Sequence, residues 1–205
     1  MKIVCLDLEG VLTPEIWISF SEAVGIPEFS RTTRDEPDYD KLMNYRLALL
    51  KQHNFKLADI QKAISSMNVL EGAEDFVCKL RERTQLIVLS DTYEEFAKPL
   101  MAKLGWPTLF CNSLEIGKNG EITGYRLRQK DGKKHAVAAL KTLNLKVFAA
   151  GDSFNDLKMI READDGCLFK APEKIKQDYP DIPSTETFDE LLDTIDRFLE
   201  ENLHT

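Results

Sequence analysis

Cysteine and histidine are scarce and scattered in this chain. The four cysteines, Cys5, Cys78, Cys111 and Cys167, form no Cys-x-x-Cys pair, and the three histidines, His53, His135 and His204, supply no complementary spacing. A structural zinc site needs clustered sulfur and imidazole ligands, so this pattern argues against one. Each cysteine has apolar or amphipathic neighbours, which reads as buried thiols in a reducing compartment. No run approaches the ~18 apolar residues of a membrane span, and the first ten residues reach Asp7 and Glu9 before a signal-like stretch is complete. A cytoplasmic protein is expected. Positive charge is in deficit: 27 Lys and Arg stand against 35 Asp and Glu, a net charge of −8. Neither nucleic acid nor an anionic membrane is therefore the expected partner, although a local basic pocket stays open. Internal repeats and low-complexity segments are also missing.

What is present is a globular composition, 43% hydrophobic and 30% charged over 205 residues. That is about one domain with room for an inserted module. An apolar β-branched run at 2–8 predicts a strand buried on both faces of a parallel sheet, and it breaks at Gly10. Helices are predicted at 15–25, 38–53 and 57–67, with a polar stretch at 31–38 that contains Pro37 as a breaker. From residue 70 onward strands and helices alternate. Helices are read at 73–83, 93–104, 134–143, 155–163 and 188–202, and strands at 85–90, 108–112, 146–150 and 167–169. An Asn119-Gly120 turn between alternating segments predicts a β-hairpin over 114–127. The fold class is α/β: a doubly wound parallel sheet built from 1–13 and 70–205, with a helical cap at 14–69 inserted after the first strand. Such an insert sits over the ligand crevice as a lid.

Polar residues collect at the predicted strand ends. Asp7 and Glu9 lie two apart at the end of the first strand, where side chains two apart face the same way. Crowded carboxylates there suit a cation or a proton transfer, and a solvated strand end is the plainer alternative. Asp152, Asn155 and Asp156 follow the strand at 146–150. Capping explains one of these acids, but an oxygen-only cluster suits Mg2+. Ser90 and Asp91 follow the strand at 85–90, where the hydroxyl serves either as a helix N-cap or, with helix amides, as a phosphate holder. Lys130, Lys133 and Lys134 either begin a solvated helix or wait for an anion, since cations oppose the dipole there. Arg46 interrupts the stripe Tyr39, Leu42, Leu49, Leu50 and His53. It is either a snorkelling arginine or a fork for a carboxylate. Glu15 at a helix start is either a surface acid or, with Asp91, a site for an ammonium.

The order Asp7-x-Glu9-Gly10, then Ser90, then Lys133, then Gly151-Asp152-x-x-Asn155-Asp156 resembles the haloacid dehalogenase superfamily of phosphatases. The insert, with Arg46-Leu-Ala-Leu-Leu before Glu71-Gly72, is similar to the helical cap of phosphoserine phosphatases. Asp-Leu-Glu-Gly-Val-Leu, Pro-Glu-Ile-Trp and Ser-Asp-Thr look most like members that also pass phosphate to homoserine. The resemblance implies Asp7 as nucleophile and Glu9 as general acid/base. It implies Mg2+ held by Asp7, the Glu9 backbone carbonyl and Asp152, with Asp156 directly or at one remove. Ser90 and Lys133 would hold the phosphoryl group, and Glu15, Arg46, Asp91 and Asn155 would line the substrate side. Phosphoserine and homoserine are the implied small-molecule partners, and a homodimer is allowed. Glu9 and Val11 replace the superfamily's usual second Asp and following Thr. The alternatives are a phosphatase for another small phosphomonoester and a phospho-aspartate signalling domain, which normally lacks the helical insert.

Overall fold

The computed structural model describes residues 1–33, 35, 36 and 38–201. Pro37, the expected breaker, and His204 lie outside the described residues, as does the expected helix end at 202. The chain forms β1 (Lys2–Leu6), α1 (Ile16–Val24), a 3-10 turn at Pro27–Ser30, α2 (Tyr39–Gln52), α3 (Leu57–Ser66) and α4 (Ala73–Arg83). Then follow β2 (Gln85–Tyr93), α5 (Glu94–Lys103), β3 (Thr108–Ile116), β4 (Ile122–Arg126), α6 (Gly132–Thr142) and β5 (Lys146–Gly151). The chain closes with α7 (Leu157–Glu162), β6 (Asp165–Phe169), α8 (Glu173–Asp178), β7 (Ser184–Thr185) and α9 (Phe188–Glu200). No described helix is long and apolar enough to cross a membrane.

The seven strands run in the order β4-β3-β2-β1-β5-β6-β7, all parallel except β4. Strand alternation explains why the sheet is covered on both faces. Val4 and Leu6 point into a cluster with Phe76 and Leu80 of α4 and Leu191 and Ile195 of α9. Ile3 and Cys5 point into the opposite cluster, with Val137 of α6, Ile160 of α7 and Ile175 of α8. The fold is thus the doubly wound α/β class that the strand and helix alternation predicts. After β1 the sheet grows outward through β2 and β3, then returns to place β5 on β1's other side. That reversal opens a crevice at the carboxyl ends of β1 and β5.

The helices α1–α3 stand at that end. Their apolar faces, including Phe20, Met43 and Ile60, share one cluster with Tyr93, Phe96 and Leu100 and with Leu114 and Ile122 of the β3–β4 hairpin. Leu57 N–H also donates to the Gly120 carbonyl at 2.9 Å, and Gln61 Nε2 donates to the Glu95 carbonyl at 2.9 Å. The helical segment is therefore packed onto both α5 and the hairpin.

Several expected boundaries move for physical reasons. β2 runs to Tyr93, beyond the expected 90, because its pairing with β3 steps from Leu89↔Phe110 to Tyr93↔Asn112. Four steps on one strand match two on the other, so Ser90-Asp91-Thr92 bulges out of the ladder. Ser90 is accordingly not an N-cap; Tyr93 holds that position ahead of α5. α6 begins at Gly132, earlier than 134, and α7 at Leu157, later than 155. α8 and the two-residue β7 escape a periodicity reading because they are too short to show a period. The expectation of four buried thiols holds for Cys5 and Cys167; Cys111 is half-buried, and Cys78 is exposed because α4 buries the face carrying Ala73, Phe76, Val77 and Leu80.

Candidate active site

β1 stops at Leu6, yet Asp7 N–H still donates to the Ala150 carbonyl at 3.0 Å, which holds Asp7 at the crevice. Residues 8–13 then turn, with the amides of Leu12 and Thr13 both donating to the Leu8 carbonyl at 2.8 and 2.9 Å. Asp152 and Asp156 arrive from the end of β5. One carboxylate oxygen from each of Asp7, Asp152 and Asp156 falls within 4.8 Å of the others. Two glycines permit this crowding. A Cβ on Gly151 would overlap the Asp156 side chain, and one on Gly10, whose φ is +81°, would overlap the Asp152 carboxylate.

Asp7 and Asp152 resist ionising in this setting. Burial, then the Asp156 charge, pushes Asp7 well above the usual carboxylate range, against the pull of Lys133. The same two causes push Asp152 up to about 7. An oxygen-only donor set strained in this way fits a hard divalent cation such as Mg2+. Capping does not account for Asp156. It occupies the N-cap position of α7, but its backbone is helical and its carboxylate makes no cap bond. Instead it accepts from Ser153 N–H at 3.1 Å, from Ser153 Oγ at 2.9 Å and from Lys133 Nζ at 2.7 Å.

Lys133 enters from the first turn of α6 and is only 6% exposed. Its Nζ lies 2.8 Å from Asp7 Oδ1, 2.7 Å from Asp156 Oδ1 and 3.7 Å from Asp91 Oδ2. Burial alone would lower its pKa, but Asp156 and Asp7 outweigh burial and hold it above the ordinary value. Of the expected basic cluster only Lys133 is buried among the acids: Lys130 and Lys134 border the same larger cavity but are exposed, and Lys134 faces Glu162 at 3.8 Å. Ser90 lies buried in the β2 bulge, its Oγ accepting from Thr92 N–H at 3.2 Å. It borders the same small cavity as Lys133 and Asp91. Asn155 Nδ2 donates to Asp91 Oδ2 at 3.2 Å, which ties the β5 exit to the bulge.

Glu9 does not join the acid trio. The chain has left the strand by then, so two-residue alternation no longer applies, and Glu9 Oε1 accepts from Ile16 N–H at 2.7 Å at the start of α1. Burial first, then the Glu15 charge, pushes Glu9 up to about 7, while the Ile16 amide, Arg46 and Lys133 pull it down. Glu15 is exposed at the N-cap position of α1 without a side-chain cap bond. Arg46 is 6% exposed, which rules out snorkelling. Its Nη2 donates to the Arg31 carbonyl at 2.7 Å, its guanidinium lies 4.5 Å from the Trp17 ring centroid, and its buried Nε has no partner. Burial lowers its pKa, and the nearby Tyr39, Glu9, Tyr93 and Glu15 raise it.

Some contributors carry no motif. Asn112, buried at the end of β3's pairing with β2, donates from Nδ2 to the Asp91 carbonyl at 2.9 Å and accepts from Arg128 N–H at 2.9 Å. A polar residue at a predicted strand end is the signal that marks it. Tyr39 and Tyr93 share a 2.6 Å hydroxyl hydrogen bond, which depends on where α2 docks and has no local signal. A cavity of about 680 Å3 opens before these groups, lined by Tyr39, Asp91, Asn112, Lys133 and Asn155 among others.

Relatives share both sequence and shape. The chain is 53% identical over 191 residues to phosphoserine phosphatase ThrH of Pseudomonas aeruginosa, covering 93% of each chain. It is 27% identical over 176 residues to a phosphoserine phosphatase of Methanocaldococcus jannaschii, covering 79% of this chain and 82% of that one. A substrate-bound phosphoserine phosphatase structure superposes with a TM-score of 0.77 at 20% identity, over 94% of this chain and 97% of that one. Residues 1–164 match the haloacid dehalogenase-like hydrolases, so this chain belongs to that family.

Proposed function

We propose that the chain is a phosphoserine phosphatase acting through an aspartyl-phosphate on Asp7. The carrying observation is the contact of Asp7 with Lys133, together with a buried, partly unsatisfied arginine whose charge, like that of Lys133, acts on Glu9. The first pair suits a phosphoryl group, and Arg46 suits a carboxylate on the same small molecule. The high identity to phosphoserine phosphatase ThrH supports the same substrate. Residues 14–69 serve as the cap that brings Glu15 and Arg46 over the strand ends.

In this reading an Asp7 oxygen attacks phosphorus and the serine ester P–O bond breaks. Glu9, near neutrality in its pKa, gives its proton to the leaving serine oxygen. The Glu9 carboxylate then takes a proton from water, whose oxygen attacks phosphorus, and phosphate leaves Asp7. Lys133 and Ser90 orient and neutralise the phosphoryl oxygens, while Glu15, Asp91 and Asn155 face the substrate's ammonium. Asp7, Asp152, Asp156 and the Glu9 backbone carbonyl would hold Mg2+. When bound, that ion offsets charge on the phosphoryl group.

The finer reading is that homoserine can replace water as acceptor. It carries the same ammonium and carboxylate as serine, so Arg46 and its partners serve either amino acid, and Glu9 takes the acceptor's proton. Phosphate release across a panel of phosphomonoesters, with Mg2+ and with a chelator, tests the hydrolase. Mg2+-dependent preference for phosphoserine over sugar phosphates and aryl phosphates supports it. A labelled protein that never releases phosphate would indicate a signalling domain instead.

A further inference from the structure

Arg46 is held by fewer hydrogen bonds than its burial calls for. Nη2 reaches the Arg31 carbonyl, Nη1 has only a 3.7 Å contact with Met43 Sδ, and Nε has no partner. Among the described residues no carboxylate lies within ion-pair distance of it. A buried guanidinium in that state is unfavourable unless something else stabilises the charge. The Trp17 indole supplies this, its centroid 4.5 Å from the guanidinium carbon.

The indole is itself held in place. It stacks on Phe29 with centroids 6.1 Å apart, and meets Phe20 edge-on at 6.2 Å and Phe96 edge-on at 5.5 Å. Phe20 and Phe29 belong to the 14–69 segment, whereas Phe96 belongs to α5. The ring cannot turn without displacing neighbours from both parts of the molecule. Support from a ring face also differs in kind from an ion pair. An acid beside Arg46 would occupy its N–H groups and cancel its charge, whereas a ring face leaves the in-plane donors free.

We propose that Trp17 is a positioning residue for substrate selection: its ring face fixes the plane of the Arg46 guanidinium and keeps its Nε–H available for an incoming carboxylate. This rests on the reading that Arg46 binds the substrate's carboxylate. Trp17 touches no reacting atom and acts through Arg46.

The test compares phosphoserine with p-nitrophenyl phosphate, which lacks a carboxylate, in the full-length enzyme with Mg2+. Trp17→Leu removes the ring face and should raise the KM for phosphoserine about tenfold, with the aryl phosphate KM unchanged. Trp17→Phe keeps a weaker face and should recover most of the loss. With Arg46→Ala already present, Trp17→Leu should add little. Equal KM increases on both substrates, or full additivity with Arg46→Ala, would overturn the proposal. A wild-type enzyme without preference for phosphoserine would instead overturn the phosphoserine reading.

A second measurement leaves Trp17 intact. The chain has two tryptophans, and Trp106 is 61% exposed and is not among the described contacts of Arg46. In Trp106→Phe protein, L-serine should change the Trp17 emission saturably, and ethanolamine, which lacks the carboxylate, should not. Equal responses to the two would contradict the assignment.

Discussion

Gly10 and Asp152 approach so closely that a Cβ on the glycine would stand 2.5 Å from the Asp152 carboxyl carbon. The turn leaving β1 thus wedges an acid that leaves β5, and the wedge fits only glycine. Gly10→Ala must displace Asp152 and also adopt a φ of +81°, which costs about 1 kcal/mol or more. The expected result is a weaker dependence on Mg2+, its half-saturating concentration rising about tenfold or more. A Mg2+ titration of phosphate release, beside a melting curve, checks both effects.

Asp7→Asn should reduce phosphate release to background, since the amide cannot form the acyl phosphate. The fold should survive. Burial and Asp156 hold the Asp7 pKa well above its ordinary value, so the folded protein disfavours its charge at neutral pH. Replacing it by a neutral side chain of equal size removes that penalty. Without Mg2+, the variant's melting temperature should match or exceed the wild type's, and calorimetry reads this directly.

Arg46→Ala should raise the KM for phosphoserine far more than that for p-nitrophenyl phosphate. Losing a charge-assisted contact amounts to about 1.5–3 kcal/mol of discrimination. Steady-state kinetics on the two substrates decide the matter, and equal losses would make Arg46 structural or phosphate-binding. Arg46→Lys should restore little of the preference, because a point charge cannot rest on Trp17 and present a planar fork.

Homoserine added during phosphoserine turnover should yield phosphohomoserine and lower the free phosphate formed per serine released. Phosphorus NMR distinguishes the two products. Stoichiometric phosphate with no phosphohomoserine, even at high homoserine, would leave a hydrolase alone.

The hydrophobic pattern alone determined the layered α/β class, because Ile3 to Leu6 and Val147 to Ala150 are uninterrupted apolar runs flanked by amphipathic helices. It also marked Asp7, Ser90, Asp91 and Asp152, since a polar residue at the end of a buried strand stands out in one dimension. The hairpin was equally legible from its Asn119-Gly120 turn. Local signals suffice for such features, whose causes lie within a few residues.

Tertiary structure decided the rest. Three lysines crowd the start of α6, and local pattern does not tell them apart; beyond the family resemblance it is the fold that selects Lys133, because its partner Asp7 lies 126 positions away, just past the end of β1. The bulge that frees Ser90 exists only through the β2–β3 register, which no property of residues 85–93 encodes. Glu9 parted from Asp7 because β1 ended before either acid and left Glu9 to meet the Ile16 amide. Periodicity exposed Arg46 as an anomaly on its helix, but whether it snorkels or is buried depended on Trp17, Phe29 and Phe96 converging beneath it. Spacing along a chain records which side chains share an element's face. Which faces meet, and so which charges must share a buried site, is set by long-range packing.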